Sequence, residues 1–253
     1  MTNLNKIKTC AVFLLFFLIF FTVCTKVYAT VPAVDINVAP SDNPASVATS
    51  IQLLFVVAIV TLAPSLLMMV TCFPRILICF HFVRAALGTQ QVPPNQILIA
   101  LALFMTFAYM GNTFTQINDD ALQPLINGEI TQEVAFERGM EPIREFMGRN
   151  VTYSDVALFM DLTGRETVSD IAEVPNEVLI PAFLLGEITK GFEFGVNVYL
   201  PFIVIDMVVA SILMAMGMMM LPPAMISLPF KILLFISVGG WSLTVESIMK
   251  TFA

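Results

Sequence analysis

Glu187, Asp206 and Lys231 stand inside largely apolar stretches. A charge in such a run is costly in hydrocarbon and normally faces protein or water, which makes each of them a functional candidate. The chemistry open to them is ion pairing, binding of a coupling ion, or proton relay. Glu187 and Lys231 read best as a pair, within or between subunits, that holds an assembly together. For Asp206 a packing role and a pathway role both remain open. The softer chemistry lies in Ser211-Ile-Leu-Met-Ala-Met-Gly-Met-Met-Met-Leu-Pro-Pro223, which ends an apolar run with five methionines and two prolines. Pro222 and Pro223 cannot donate backbone hydrogen bonds, and Pro222 pushes Leu221 out of helical geometry. A helix through the run must therefore end or turn near residues 217–221, leaving Met218, Met219 and Met220 at a reversal hinged on Gly217. Unbranched, polarisable thioethers can fill gaps in a core or repack around changing neighbours. Composition alone favours gap-filling.

Other chemistry is missing from the sequence. It has no glycine-rich phosphate loop followed by Lys-Ser/Thr, no His-Glu-x-x-His zinc motif and no strand–helix nucleophile elbow. His81 is the only histidine and, three residues from Arg84, reads as a polar contact and not a ligand. Cys10 and Cys24 fall in a secretory leader, and Cys72 and Cys79, if helical, lie about 10 Å apart along the axis, too far to bridge. No enzyme, metal or cofactor is expected.

The elements that position these residues follow from composition. Of 253 residues, 58% are hydrophobic and 12% charged, where a soluble domain carries about 25% charged residues. This is the composition of an integral membrane protein. The net charge of −7 leaves no basic patch for nucleic acid. Lys6 and Lys8 precede a short apolar run, and Val27-Tyr28-Ala29 resembles a small-residue cleavage site, so residues 1–29 read as a cleavable signal with the mature chain starting at Thr30. Residues 30–50, with Pro32, Pro40 and Pro44, form a polar linker.

Residues 51–110 read as a first hydrophobic hairpin. Its first arm, 51–73, is 23 residues without a charge, long enough to cross about 30 Å of hydrocarbon, and Pro64 should kink it. A less apolar stretch, 74–87, contains Arg75, His81 and Arg84, and the two arginines suggest a cytoplasmic connection. Residues 97–110 return. Residues 111–177 change character: they hold 13 of the 19 acidic residues and no lysine. They are expected to form a helical hydrophilic domain in the periplasm, with helices over 131–147 (apolar face Val134, Phe136, Met140, Ile143, Met147) and 153–162. Residues 178–253 are the second hydrophobic hairpin, with spans over 196–221 and 225–241 around the methionine turn. The expected architecture is all-α, with about four hydrophobic segments and no 20–50-residue repeat.

Several blocks in order resemble the FliP family of flagellar type III export-gate proteins, relatives of the SctR proteins of injectisomes. They are Arg84-Ala-Ala-Leu-Gly-Thr-Gln-Gln-Val-Pro-Pro-Asn-Gln96, Pro181-Ala-Phe-Leu-Leu-Gly-Glu187, Ile205-Asp206 through Gly217-Met-Met-Met-Leu-Pro-Pro223, and Pro229-Phe-Lys231 through Gly240-Trp241. Gly186 and Phe194 depart from the residues usual in the family. The leader favours the flagellar branch over the injectisome branch.

The resemblance implies a homopentamer that joins FliQ- and FliR-like subunits in a helical gate. It also implies FlhB- and FlhA-like export partners, an inner-membrane site at the flagellar basal body, and unfolded flagellar proteins as cargo. It makes Met218, Met219 and Met220 a ring that seals the conduit, and it puts the partners of the buried charges in neighbouring subunits. Two rival readings are an ion-coupled small-solute transporter using Asp206 and Glu187, for which the inverted repeats typical of that class are not found, and a structural membrane scaffold with no conduit.

Overall fold

The computed structural model describes residues 68–252 apart from 167, 169 and 219, together with positions 54, 55, 57, 58, 61, 62 and 65. The leader with its cleavage site, the linker, Pro64 and Met219 lie outside the described residues. The chain divides into two units, Met1–Thr61 and Leu62–Ala253, and the elements below belong to the second. Among the described residues every regular element is helical.

Helix α1 (Phe73–Ala86) starts with Pro74 in its first turn, where the missing donor costs nothing and the fixed φ suits a helix. Its residues Ile76, Cys79, Phe80, Val83 and Ala86 recur at three- and four-residue intervals, and all are buried. Gly88 at φ 77° follows its end. Helix α2 (Asn95–Tyr109) bends by 65° at Met110 into a second segment, Gly111–Ile126. That segment comprises α3 (Gly111–Ile117), a π-helical turn (Asn118–Leu122) and α4 (Gln123–Ile126). Helices α5 (Gln132–Asn150) and α6 (Tyr153–Leu162) complete the acidic region, close to the helices expected there. The buried face of α5 is Ala135, Pro142, Phe146 and Met147, so Phe136, assigned from its spacing to the apolar face, instead points outward. Met147 and Ile143 of the same expected face do pack inward, and a Cβ on Gly139 would meet the Ala121 Cβ of the π-helical turn at 3.5 Å, an ordinary contact distance.

Helix α7 (Asn176–Ala215) runs 40 residues through what the sequence divided into a lead-in and a span over 196–221. Pro181 and Pro201 both lie inside it, and an apolar helix tolerates them when neighbours satisfy the freed carbonyls. At about 1.5 Å per residue, α7 reaches well beyond a bilayer's hydrocarbon thickness. It packs most extensively on α1, and two glycines make the approach possible. A Cβ on Gly191 would lie 2.9 Å from the Ile78 Cγ2, and one on Gly195 would lie 2.3 Å from the Phe82 Cγ. The stretch Gly191-Phe-Glu-Phe-Gly195 is thus a small-x-x-x-small face that lets backbones close up.

Helix α8 (Pro223–Ser237) and helix α9 (Gly240–Lys250) meet at 70°, with Gly239 at φ 65° in the corner. The span expected over 225–241 is therefore broken near its end, α8 stopping at Ser237 and α9 starting at Gly240. A left-handed residue ends α8 before Trp241, and hydropathy cannot see it. Among the described residues only α7 is by itself long and apolar enough to cross a membrane; the α2–α4 and α8–α9 stretches meet that measure only as bent pairs. The core gathers α1 residues with Leu98 and Ala102 of α2, Met147 of α5, Met160 of α6, Leu179 and Phe183 of α7, Phe235 of α8 and Ile248 of α9.

Candidate functional site: two buried ion pairs and a methionine turn

Arg75 projects from the buried face of α1, on the same stripe as Cys79 and Val83. It faces Glu187, one turn ahead of Gly191 on α7. Both side chains are fully buried. The guanidinium forks onto the carboxylate: Nε donates to Oε2 at 3.0 Å, and Nη2 donates to Oε1. Its remaining side is taken by the tail after α9. Nη1 donates to the Thr251 carbonyl at 2.7 Å and to the Thr251 Oγ1 at 3.3 Å. The Phe252 ring stacks under Cζ at 3.9 Å. Planar bidentate geometry of this kind is what makes a buried Arg–carboxylate pair tolerable. The tail is itself held, because Tyr109 donates its hydroxyl to the Phe252 carbonyl at 2.9 Å and their rings lie 4.8 Å apart.

The second pair joins α7 to α8. Lys231 Nζ donates to the Asp206 Oδ2 at 2.6 Å and to the Ala86 carbonyl, at the end of α1, at 3.4 Å. The buried Ser227 hydroxyl donates to the other carboxylate oxygen. The lysine side chain is 6% exposed and the aspartate 34%, so this pair stands at the edge of the packed region.

These geometries correct two expectations. Glu187 and Lys231 do not pair within the chain; each has another partner, because α7 puts Glu187 opposite α1 and Asp206 opposite α8. Arg75, counted with Arg84 as a charge of a cytoplasmic connection, is instead a core residue. Sequence reasoning missed it and the tail residues Thr251 and Phe252. The available signal was the register of Arg75 with Cys72, Cys79 and Val83 along one apolar stripe. His81 does make the polar contact expected, its Nδ1 lying 2.9 Å from the Arg84 Nη2. Arg84 also donates to the Asn95 Oδ1 and to the Pro93 carbonyl, pinning the connection between α1 and α2. Cys72 and Cys79 are free and buried. No cluster of potential metal ligands occurs among the described residues.

The methionine turn has a defined local cause. Gly217, at φ 77°, takes the left-handed conformation after α7. Its amide donates to the Met214 carbonyl at 3.0 Å, and the Met218 amide donates to the Leu213 carbonyl at 3.0 Å. This crossed pair is the Schellman arrangement, which satisfies carbonyls that a helix end would leave open. The Leu221 amide reaches back to the Met218 carbonyl at 3.4 Å, and Pro223 opens α8 in its favoured first position. Met218 is 38% exposed and Met220 98% exposed. Behind the turn, Val204, Val208 and Ile212 of α7 face Ile226 and Phe230 of α8 across a groove lined by apolar side chains.

The model of the FliP family matches residues 56–248. A flagellar biosynthetic protein FliP from Bacillus subtilis (strain 168) is 46% identical over 217 residues, which cover 86% of this chain and 98% of that protein. The protein of the same name from Pectobacterium carotovorum is 43% identical over 227 residues, 90% of this chain and 88% of its own. That from Treponema pallidum (strain Nichols) is 42% identical over 224 residues, 88% of this chain and 83% of its own. The matched span contains both ion pairs and the whole methionine turn, and the chain belongs to the FliP family.

Proposed function

We infer that this chain is a membrane-embedded structural subunit of the flagellar type III protein export gate, and that Met218, Met219 and Met220 close its conduit at rest. Family membership over most of the chain carries the first part, and relatives named flagellar biosynthetic proteins favour the flagellar over the injectisome branch. The near-complete exposure of Met220 on a Schellman turn carries the second. An apolar side chain held out at the turn and almost fully exposed among the described residues suits a constriction formed jointly by several copies. Such a constriction excludes hydrated ions by dewetting, while flexible thioethers re-form contacts around a passing polypeptide.

The same reading assigns the uncovered apolar flanks of α7 and α8 to contacts with further copies, to a pentamer, and to FliQ- and FliR-like subunits. FlhB- and FlhA-like components then act with the gate at the inner-membrane basal body. It puts the acidic region, residues 111–177, in the periplasm, and gives Glu187, Asp206 and Lys231 the task of fixing helix register, not catalysis. Alanine at Met218, Met219 and Met220 tests the seal. Conductance across membranes containing the complex should rise while assembly persists, since the change adds no charge and leaves Gly217, Pro222 and Pro223 in place. A fully assembled triple variant that conducts no more than wild type would make these methionines ordinary packing.

A further inference from the structure

We propose that Thr251 and Phe252 act as a latch: the tail after α9 closes over the Arg75 guanidinium, and the Arg75–Glu187 pair keeps its buried geometry only while that tail is docked. Glu187 satisfies one edge of Arg75, through Nε and Nη2. Among the described residues, Nη1 has the Thr251 carbonyl and hydroxyl as its acceptors, and the Phe252 ring covers the guanidinium face at 3.9 Å. A guanidinium stays charged at any working pH, so it cannot escape by losing its proton if the tail leaves. The α8–α9 arm is thereby fastened to α1 twice, once through Lys231 on the Ala86 carbonyl and once through this latch. The 70° corner lies between the two fastenings.

A double-mutant cycle separates a latch from simple packing, using the full chain in its assembled complex. Phe252→Ala is compared in two backgrounds, wild type and Arg75→Met/Glu187→Leu, by reading maleimide labelling of Cys79, on the helix that carries Arg75, and Cys72, at that helix's N-cap, both buried. In the wild-type background labelling should rise by about thirtyfold, the size set by loss of one desolvated cation–π contact. In the apolar background Phe252→Ala should change it less than about twofold, because no charge needs cover. Equal rises in both backgrounds would overturn the proposal and leave Phe252 a packing residue. Should the apolar background fail to assemble, Phe252→Leu in the wild-type chain decides. It preserves bulk but not the ring face, so labelling should still rise severalfold; wild-type labelling would refute the latch.

Discussion

Glu187→Ala is the sharpest perturbation of the fold, and its cost can be ordered against two others from the structure. The substitution leaves the Arg75 guanidinium fully buried with two of its donor nitrogens facing a void. Breaking a buried pair from one side costs about 3–5 kcal/mol, and arginine can neither neutralise itself nor reach water past α7. Asp206→Ala is the milder case. Its carboxylate is 34% exposed, and the orphaned Lys231 has a flexible stem that can carry its ammonium toward the same opening. The expected cost is about 1–3 kcal/mol, that of an unsatisfied polar group near the surface of the packed region. Glu246→Ala, removing an exposed pair with Lys250 on one face of α9, should change nothing measurable. Thermal unfolding of the detergent-purified complex, followed by loss of the assembled species, reads all three. Arg75→Met/Glu187→Leu should recover most of the loss, because well-packed apolar residues replace buried pairs at little cost. If Glu187→Ala proves no worse than Glu246→Ala, or if the apolar double variant is as unstable as the single one, the buried pair does not bear the stability assigned to it.

Two further outcomes test the helix packing and the turn. Gly195→Ala would put a Cβ within 2.3 Å of the Phe82 ring, forcing α1 and α7 apart at a cost of about 1–3 kcal/mol. Phe82→Ala in the same chain should restore part of it, measured as recovered assembled complex. Gly217→Ala must take φ 77° with a side chain and should lower stability by about 1 kcal/mol. Gly217→Asn should cost less, as asparagine tolerates the left-handed region, and identical unfolding midpoints for the two would refute the Schellman account.

Much of the chain was legible because its signals are local. The apolar runs, Pro74, the Gly217 and Pro222-Pro223 punctuation and the spacing of 153–162 each act through a residue's own backbone or its immediate neighbours, so helix α6 and the end of α7 fall close to where those signals put them. The failures share a physical cause. Hydropathy sums over a window and is blind to a single positive φ, so the corner at Gly239 went unseen and the span was carried through it to Trp241. Charge reading was worse, because a charge's partner is set by which helix faces which. Glu187 and Asp206 lie 19 positions apart on one helix, yet one looks at α1 and the other at α8. That division follows from the approach of α1 permitted by Gly191 and Gly195, and from the turn that brings α8 back along α7. The class, the family resemblance and the methionine turn are written in residue types and near-neighbour spacing. That Arg75 belongs to the core, and that the tail at Thr251 and Phe252 completes its shell, depends on helix packing, since no spacing rule links residues 176 positions apart.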